Sequence, residues 1–296
     1  MNDFLNAGKE DVWLASLSGF HIGGLSIYIR AKESQSKVVS FRETWDANDF
    51  IQCLASNKVT FTSVVPTQLF DLVNLNMRAP DSLKGIFVGG DFLSNVLKKN
   101  ALALGWPVIQ TYGMTETCSQ IASSYITNES NEFLQVLPIH HIELDSCESV
   151  INSSSLFSAE IIYNQSEFSV KFCTDDKFIL KDRIELNNIA GQQYIKPLGR
   201  SDEYFKLKGR LFNFLDLKQI AHSVFDAKNV LNLAELVLCD APREGKQLEL
   251  WLQKDINHVD ELVKCIEDRL PKVLKICNVK LFSKLPRNEL GKLKRQ

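Results

Sequence analysis

Residues 85–90 read GIFVGG, a short apolar run that ends in paired glycines. A second run of this kind, VTFTSVV at residues 59–65, stops at Pro66, and a third covers residues 106–110. Short apolar runs that are rich in β-branched residues and bounded by glycine or proline are typical of buried strands. The sequence therefore predicts three short strands that are covered on both faces.

Helical patterns separate these predicted strands. One spans residues 68–75, where Thr67 is placed to cap it, and another spans residues 94–104, where Ser94 supplies the capping hydroxyl. Strands that alternate with helices indicate a parallel or mixed sheet, in which ligands bind beyond the carboxyl ends of the strands. We therefore predict an α/β fold in which residues 1–128 form part of a larger sheet domain.

The pattern changes after residue 128. Residues 168–186 alternate apolar and polar side chains, and Gly191 marks a turn. A period of two is typical of antiparallel strands with one solvated face. Residues 129–199 are therefore predicted to form a small β subdomain.

Residues 200–296 predict a compact α+β domain. Its helical patterns cover residues 215–225 and 258–270, and its apolar runs predict strands at residues 234–239, 248–252 and 274–281. A basic tail, residues 285–296, follows the last predicted strand.

Composition excludes several classes of protein. The 296-residue chain is 45% hydrophobic and 24% charged, unlike a disordered chain or a disulfide-stapled miniprotein. A formal net charge of -2 predicts no nucleic-acid partner, and seven scattered cysteines are typical of a reducing compartment. No apolar run reaches the ~18 residues of a membrane span, and residues 1–11 lack a signal-peptide core. We therefore expect a soluble, cytoplasmic protein.

Residues 111–117 read TYGMTET and follow the third predicted strand directly. Backbone N–H groups and hydroxyls at the end of a strand can bind phosphate oxygens, and a carboxylate such as Glu116 can bind Mg²⁺. An ordinary polar loop contains the same residue types, and residue types alone favour that plainer interpretation.

Five further residues are candidates; three of them allow two interpretations each, and the other two predict no site. Asp182 and Arg200 border β segments, where they could bind a ribose or form a surface ion pair. His21, within GFHIGG, could line a pocket or be an ordinary core histidine. The adjacent His140 and His141 would point to opposite faces of a strand, so they predict no metal site.

The basic tail contains PRNELGK at residues 286–292. Its spacing is close to that of a nucleotide-binding phosphate loop, but the first glycine is missing, and no strand precedes it and no helix follows it. A phosphate loop is therefore rejected, and by itself this segment is expected to be a solvated tail.

Taken in order, four segments resemble the acyl-adenylate-forming (AMP-dependent synthetase/ligase) superfamily. They are YGMTE at residues 112–116, Asp182 in LKDR, GRSD at residues 199–202 followed by Lys208-Gly209, and PRNELGK at residues 286–292. Within it, three stretches are most similar to the o-succinylbenzoate–CoA ligase branch of menaquinone biosynthesis: FHIGGLS at residues 20–26, SVVPTQL at residues 63–69 and YGMTETCSQI at residues 112–121.

The resemblance implies ATP-dependent adenylation of a carboxylic acid with Mg²⁺, followed by transfer of the acyl group to coenzyme A. It implies a nucleotide site made of Gly89, Gly90, Thr111, Tyr112, Gly113, Asp182 and Arg200. It also implies that Lys292, Thr115 and Glu116 are catalytic, and that Glu116 holds the Mg²⁺. The acid pocket would contain His21, Ser119 and Gln120, and the mobile C-terminal domain would rotate about a hinge at Asp202.

The chain departs from the superfamily pattern in three places. The Ser/Thr/Gly-rich phosphate loop that ends in PKG has no counterpart, so we expect an N-terminal portion to be missing. Leu180-Lys181 replaces the first two residues of a TGD-type segment, and Asp216-Leu217-Lys218 replaces Glu-Ile-Glu. The alternatives are a ligase for another acyl or aryl acid, and a catalytically incomplete fragment or interaction subunit. A homo-oligomer and a complementing N-terminal chain both stay open.

Overall fold

The computed structural model of the chain divides into two compact units. Unit 1 comprises Met1–Leu93, Ala101–Leu180 and Ile184–Pro197, and unit 2 comprises Ser94–Asn100, Lys181–Arg183 and Leu198–Gln296. The residues that the structure describes are 1–41, 44–124, 132–145, 148–164, 167–173, 176–200, 203–207, 210–241, 245–288 and 293–294. The division into three domains at residues 128 and 199 stays a prediction.

The helices and strands of the described residues are numbered in chain order. The helices are α1 (Asn2–Leu5), α2 (Ile22–Glu33), α3 (Ala47–Ser56), α4 (Pro66–Asn74), α5 (Asn95–Ala103), α6 (Phe214–Ala227) and α7 (Val259–Glu267). The strands are β1 (Val12–Ala15), β2 (Lys37–Ser40), β3 (Phe61–Val64), β4 (Gly85–Val88), β5 (Val108–Met114), β6 (Ser119–Ser123), β7 (Leu134–Val136), β8 (His140–Asp145), β9 (Glu148–Ser153), β10 (Ala159–Asn164), β11 (Glu167–Phe172), β12 (Lys177–Leu180), β13 (Asp182–Ile189), β14 (Gln192–Arg200), β15 (Tyr204–Leu207), β16 (Arg210–Asn213), β17 (Ala234–Ala241), β18 (Gly245–Gln253) and β19 (Ile276–Phe282).

A large mixed sheet has the strand order β13-β14-β7-β6-β5-β4-β3-β1-β2. The strands from β2 to β5 pair in parallel, whereas β5, β6, β7 and β14 pair antiparallel. Every residue of β3 and β4 is buried, as predicted for strands covered on both faces. The predicted α/β class with a mixed sheet is confirmed.

An aromatic cluster holds the parallel strands of this sheet together. The indole of Trp13 on β1 lies 5.0 Å from the ring of Phe61 on β3 and 5.8 Å from that of Phe87 on β4, measured between centroids. All three side chains are buried, and Ile27 and Ala31 of α2 pack against them. This packing fixes the strand ends from which the candidate site is built.

The starts of two helices test the predicted caps. The Ser94 hydroxyl accepts a hydrogen bond from the Leu97 backbone N–H, which confirms its capping role at α5. Thr67 is not a cap, because α4 already begins at Pro66, and the Gln68 side chain accepts the Val65 backbone N–H instead. Proline is favoured in the first helical turn because its φ is already helical and no N–H is lost there. None of the helices in the described ranges is long and apolar enough to cross a membrane.

Antiparallel strands lie between β7 and β13 in the chain, as the period-two pattern predicts. β12, β9 and β8 form a three-stranded sheet, and β10 and β11 form a separate hairpin. The expected single solvated face is wrong for β11, because every residue of that strand is exposed. The alternating pattern predicts that a strand forms. It does not show whether another layer of the protein packs against that strand.

Unit 2 contains a three-stranded sheet with the order β17-β18-β19. β17 and β18 are antiparallel, whereas β18 and β19 are parallel. Apolar residues of α6 and α7 cover one face of this sheet, including Leu217, Val224, Leu262 and Ile266. These elements agree with the helices and strands predicted for residues 200–296.

Candidate active site

The TYGMTET segment is a tight hairpin rather than a loop. Thr111 to Met114 belong to β5, so the prediction that the whole segment follows the strand is wrong. Only residues 115–117 turn, as a single 3₁₀ turn, and Cys118 ends the turn in the left-handed conformation. The chain then returns as β6, which places Ser119 opposite Met114.

A glycine makes this hairpin possible. The register between β5 and β6 shifts between Tyr112 and Gly113, so that Gly113 lies opposite Gln120. A Cβ at Gly113 would overlap the backbone carbonyl of Ser119. Bulges of this kind re-aim the chain and are frequent beside active sites. Gly113, Ser119 and Gln120, which the sequence assigned to different subsites, are therefore neighbours.

A second close approach joins the glycine pair after β4 to β5. A Cβ at Gly89 would overlap the Thr111 hydroxyl, which donates a hydrogen bond of 3.3 Å to the Val88 carbonyl. Gly90 has a φ of 85°, a conformation that side chains disfavour. Gly89 and Gly90 thus follow the carboxyl end of β4, and Gly89 approaches Thr111 within β5. Ligands bind beyond the carboxyl ends of parallel strands in sheets of this type.

The turn exposes two groups and buries a third. Thr115 is exposed and Glu116 is half-buried, and neither side chain has a partner among the described residues. Thr117 is buried, and its hydroxyl bonds to the carbonyls of Met114 and Ser119, so its role is to hold the turn. The hydroxyl of Thr115 and the carboxylate of Glu116 are available to a ligand.

Arg30 is a candidate site residue that sequence reasoning missed. Its guanidinium donates a hydrogen bond of 2.8 Å from Nη2 to Oε1 of Gln120. The side chain is buried, with its charge 5.5 Å from the Phe87 ring centroid and 6.0 Å from that of Trp13. The only sequence signal was an arginine at an otherwise apolar position of α2, nine residues after His21.

The electrostatic environment of Arg30 is unusual. Burial lowers the pKa of the Arg30 guanidinium to about 10, which still leaves it charged at neutral pH. In the described part of the chain, no carboxylate lies within ion-pair distance of it. A buried charge without a counter-ion is costly, and such positions occur where a charged ligand completes the pair.

His140 contacts the backbone of Gln120. Its Nε2 lies 2.9 Å from the Gln120 carbonyl oxygen, and its Nδ1 is buried without a partner in the described residues. Burial lowers the pKa of His140, so the ring is neutral at physiological pH. His141 is exposed, as predicted for adjacent residues on one strand.

His21 stands apart from the Arg30–Gln120 contact. It immediately precedes α2, and nine residues of helix separate it from Arg30 by roughly 13 Å along the axis. Gly24 of the same segment is buried, and a Cβ there would overlap the Ser18 carbonyl. The glycines of this motif therefore serve close packing, whereas the part of His21 in a pocket stays a prediction.

Asp182 and Arg200 are together in unit 2. Asp182 begins β13 and Arg200 ends β14, and residues 190 and 191 alone join these neighbouring strands. Ala190 and Gly191 both have positive φ, as a two-residue hairpin turn requires. The hairpin therefore places both residues at its open end, beside Arg183, whose guanidinium lies 4.5 Å from the Tyr204 ring centroid.

The described part of the C-terminal tail differs from the solvated tail that the sequence predicts. Leu285 is buried, and Arg287 forms an ion pair of 3.1 Å with the buried carboxylate of Glu235. The described part of this segment is thus folded against the sheet and is not a solvated tail. Lys292 and Asp202 lie outside the described residues.

Sequence comparison with known families gives a match over the first half of the chain. Residues 1–144 match the AMP-binding enzyme family. The resemblance to acyl-adenylate-forming enzymes is thereby confirmed. The matched residues contain the β5–β6 hairpin, the paired glycines, Arg30 and Gln120.

Individual relatives extend the comparison. The 2-succinylbenzoate–CoA ligase of Bacillus subtilis is 36% identical over 121 residues, which are 40% of this chain and 25% of that protein. The enzyme of the same name from Lactococcus lactis is 24% identical over 301 residues, which are 99% of this chain and 62% of the relative. The chain therefore spans about three fifths of the length of the longer match.

Solved structures share the fold. The o-succinylbenzoate CoA synthetase of Bacillus subtilis in complex with its acyl-adenylate intermediate superposes with a TM-score of 0.79 and 23% identity, over 99% of this chain and 61% of that one. The same synthetase with ATP and a magnesium ion gives a TM-score of 0.76 and 22% identity, over 99% and 62%. At this identity the likeness confirms the predicted fold class.

Proposed function

We propose that the protein is an AMP-forming acyl-CoA ligase that activates o-succinylbenzoate. The observation that carries this proposal is the β5–β6 hairpin. Its turn bears Thr115 and Glu116, whose side chains have no partner among the described residues, and its return strand holds Gln120 against the buried Arg30. One element thus offers groups for a phosphate and a metal ion beside a buried cation. That combination suits a reaction between a nucleotide and a carboxylate.

In the first half-reaction, a carboxylate oxygen of the acid attacks the α-phosphorus of ATP. The bond from that phosphorus to the bridging oxygen breaks, and pyrophosphate leaves with the electron pair. Positioning and charge stabilisation supply most of the catalysis in such displacements. We assign the phosphate contact to Thr115, the adenine border to Gly89, Gly90 and Tyr112, and the ribose to Asp182 and Arg200. Thr111 and Gly113 are assigned to the same nucleotide site.

Glu116 fits the role of a magnesium ligand. Mg²⁺ in nucleotide sites is usually held by one or two carboxylates together with substrate phosphates and water. The Glu116 carboxylate has no competing partner among the described residues, and it borders the phosphate-binding turn. A bound Mg²⁺ would neutralise charge that develops on the leaving pyrophosphate.

Arg30 and Gln120 provide a reason for preferring a dicarboxylic acid. o-Succinylbenzoate has two carboxylates, of which one reacts and the other stays charged. A buried guanidinium can pair with that second carboxylate through charge-assisted hydrogen bonds, and Gln120 holds the guanidinium in place. His21 and Ser119 remain assigned to the same acid pocket.

In the second half-reaction, the thiol of coenzyme A attacks the acyl carbonyl and AMP leaves. We assign to Lys292 the stabilisation of charge during adenylation, and to Asp202 the hinge that withdraws this lysine before thioester formation. Lys292→Ala is then expected to slow acyl-AMP formation by about 10²–10³-fold and to spare thioester formation from supplied acyl-AMP. Equal losses in both half-reactions would contradict a lysine that swings.

The test is pyrophosphate release by the full 296-residue chain with ATP, Mg²⁺ and a panel of acids, with acyl-AMP and thioester identified by mass spectrometry. We expect release with o-succinylbenzoate, and far less with benzoate or succinate, which each lack part of it. Release with a different acid alone would support another acyl or aryl ligase. Binding of a stable acyl-adenylate analogue without turnover would support a catalytically incomplete fragment.

A further inference from the structure

Glu235 is a buried carboxylate with three positively charged or basic neighbours. Lys218 Nζ lies 3.1 Å from its Oε1, His222 Nε2 lies 3.5 Å from the same oxygen, and Arg287 Nη2 lies 3.1 Å from Oε2. Lys218 and His222 belong to α6, whereas Arg287 belongs to the C-terminal tail, residues 285–296. Glu235 therefore ties the tail to the body of unit 2.

Backbone hydrogen bonds also connect the two described parts of the tail. Arg287 pairs with Leu293 in an antiparallel bridge, and the Lys294 N–H donates a hydrogen bond of 2.8 Å to the Pro286 carbonyl. The sequence between the two bridged residues includes Lys292. These contacts hold Arg287 beside Leu293, and the two residues stand on either side of Lys292 in the sequence.

Apolar packing places this bridge on one face of the sheet. Leu285 is buried against Val237 and Trp251, and Leu293 packs against the same cluster. Glu235 lies opposite Trp251 in the register of β17 and β18, so its carboxylate is on the same face. The ion pair and the apolar contacts hold the same segment against the same surface.

The energetics of a buried ion pair favour a positional role over a stabilising one. Burial alone would raise the pKa of the Glu235 carboxyl, but Lys218, His222 and Arg287 lower it well below its usual range. Apolar replacements for such pairs are often as stable or more stable, so the best-attested use of a buried pair is to specify one arrangement. Glu235 would specify the placement of the tail.

We propose that the Glu235–Arg287 ion pair anchors the tail segment that carries Lys292, which makes Glu235 and Arg287 positioning residues for adenylation; the adenylation role rests on the function proposed above. Arg287 would act only through Lys292. The contacts that anchor the tail lie within unit 2, so they can be measured without an assay of enzyme activity.

The same sheet face offers a matched control. Glu249 is buried there, and its Oε2 lies 2.8 Å from Lys280 Nζ and accepts a hydrogen bond of 2.9 Å from Trp251 Nε1. Val237 pairs with Glu249 in the register, so both carboxylates share one face. Lys280 is on β19, outside the tail. Lys280→Met therefore removes a cation that is paired with a buried carboxylate of this face but does not belong to the tail.

The experiment compares Arg287→Met and Glu235→Gln with Lys280→Met in the full chain. Hydrogen exchange at the Lys294 amide is followed by mass spectrometry, and acyl-AMP formation and thioester formation are measured separately. We expect exchange to be about 10–100-fold faster in the first two variants, as loss of a hydrogen bond to a charged group implies, and unchanged in Lys280→Met. Adenylation should fall at least about tenfold more than thioester formation.

Unchanged exchange at Lys294 in Arg287→Met would overturn the anchor. Faster exchange with equal losses in both half-reactions would show a structural contact only and would overturn the positioning role. If the unmodified chain forms no acyl-AMP from any acid, the proposed function fails, and the exchange comparison still decides the anchor by itself.

Discussion

Arg30 on α2 donates a hydrogen bond of 2.8 Å to the side-chain oxygen of Gln120 on β6, ninety positions later in the chain. Gln120 in turn lies opposite Gly113, beside the turn that carries Thr115 and Glu116. A buried cation is thereby attached to the same hairpin as the groups proposed to bind phosphate and metal. This arrangement links acid recognition to nucleotide binding and can be tested residue by residue.

The first prediction concerns Arg30→Met. Removing the charge should raise KM for o-succinylbenzoate by about 10–100-fold, because a hydrogen bond to a charged group contributes roughly 1.5–3 kcal/mol. KM for ATP should change little. Stability should not fall by a matching amount, because the variant no longer buries beside Trp13 and Phe87 a charge that has no carboxylate partner among the described residues. Steady-state kinetics and urea unfolding measure both effects, and a rise in KM for ATP alone would contradict the assignment.

The second prediction concerns Gly113→Ala. A methyl group there would overlap the Ser119 carbonyl, so the hairpin must shift, and the free energy of unfolding should fall by about 1–3 kcal/mol. Thermal unfolding measures the loss. Gly8→Ala is the matched control, because nothing lies within 4 Å of the added methyl group at that position. Equal stability of the two variants would show that the β5–β6 turn relaxes freely.

The third prediction concerns Glu116→Gln. An amide is a weaker ligand for Mg²⁺ than a carboxylate, so pyrophosphate release should need several-fold more Mg²⁺ to reach half its maximum rate. The melting temperature should stay the same, since Glu116 has no partner among the described residues. Glu167→Gln, which replaces an exposed carboxylate on β11, serves as the control. An unchanged Mg²⁺ dependence would remove Glu116 from the metal site.

The fourth prediction concerns pH and Glu249. Burial alone would raise the pKa of the Glu249 carboxyl, but hydrogen bonds from Lys280 and Trp251 lower it from 4.5 to about 2. Its stabilising contribution is therefore complete above about pH 4.5 and is lost as the pH falls towards 2. Glu249→Gln should cost about 1.5–3 kcal/mol at neutral pH, and the difference from the unmodified chain should shrink across that acid range. Urea unfolding at pH 6, 4 and 3 measures this, and a constant difference would contradict the pKa assignment.

Local patterns in the sequence predicted most of the elements. The apolar runs at residues 59–65 and 85–90 are buried strands, and the Ser94 cap and the turn at Gly191 are where the sequence places them. Each of these features depends on neighbours within a few residues. Thr67 was mistaken for a cap because the preceding proline, rather than the hydroxyl, starts the helix.

Contacts between segments that are distant in the sequence could not be predicted in the same way. The contact between Arg30 and Gln120 and the ion pair between Glu235 and Arg287 join residues that are 90 and 52 positions apart. The composition of either segment alone does not indicate a partner at that distance. From the sequence, a basic tail or an arginine within a helix could equally be exposed to solvent. Only the packing of the folded chain decides whether such a residue is buried.

By itself, the sequence determined the alternation of strands and helices, the paired glycines that follow β4 and the family to which these motifs point. Those features follow from the backbone preferences of each residue type and from the spacing of apolar residues, and both can be read from a short stretch of sequence. Tertiary structure alone decided which charges are buried, which carboxylates remain available and which tail residues are anchored. These properties depend on desolvation and close contact between distant segments, and they exist only once the chain has packed.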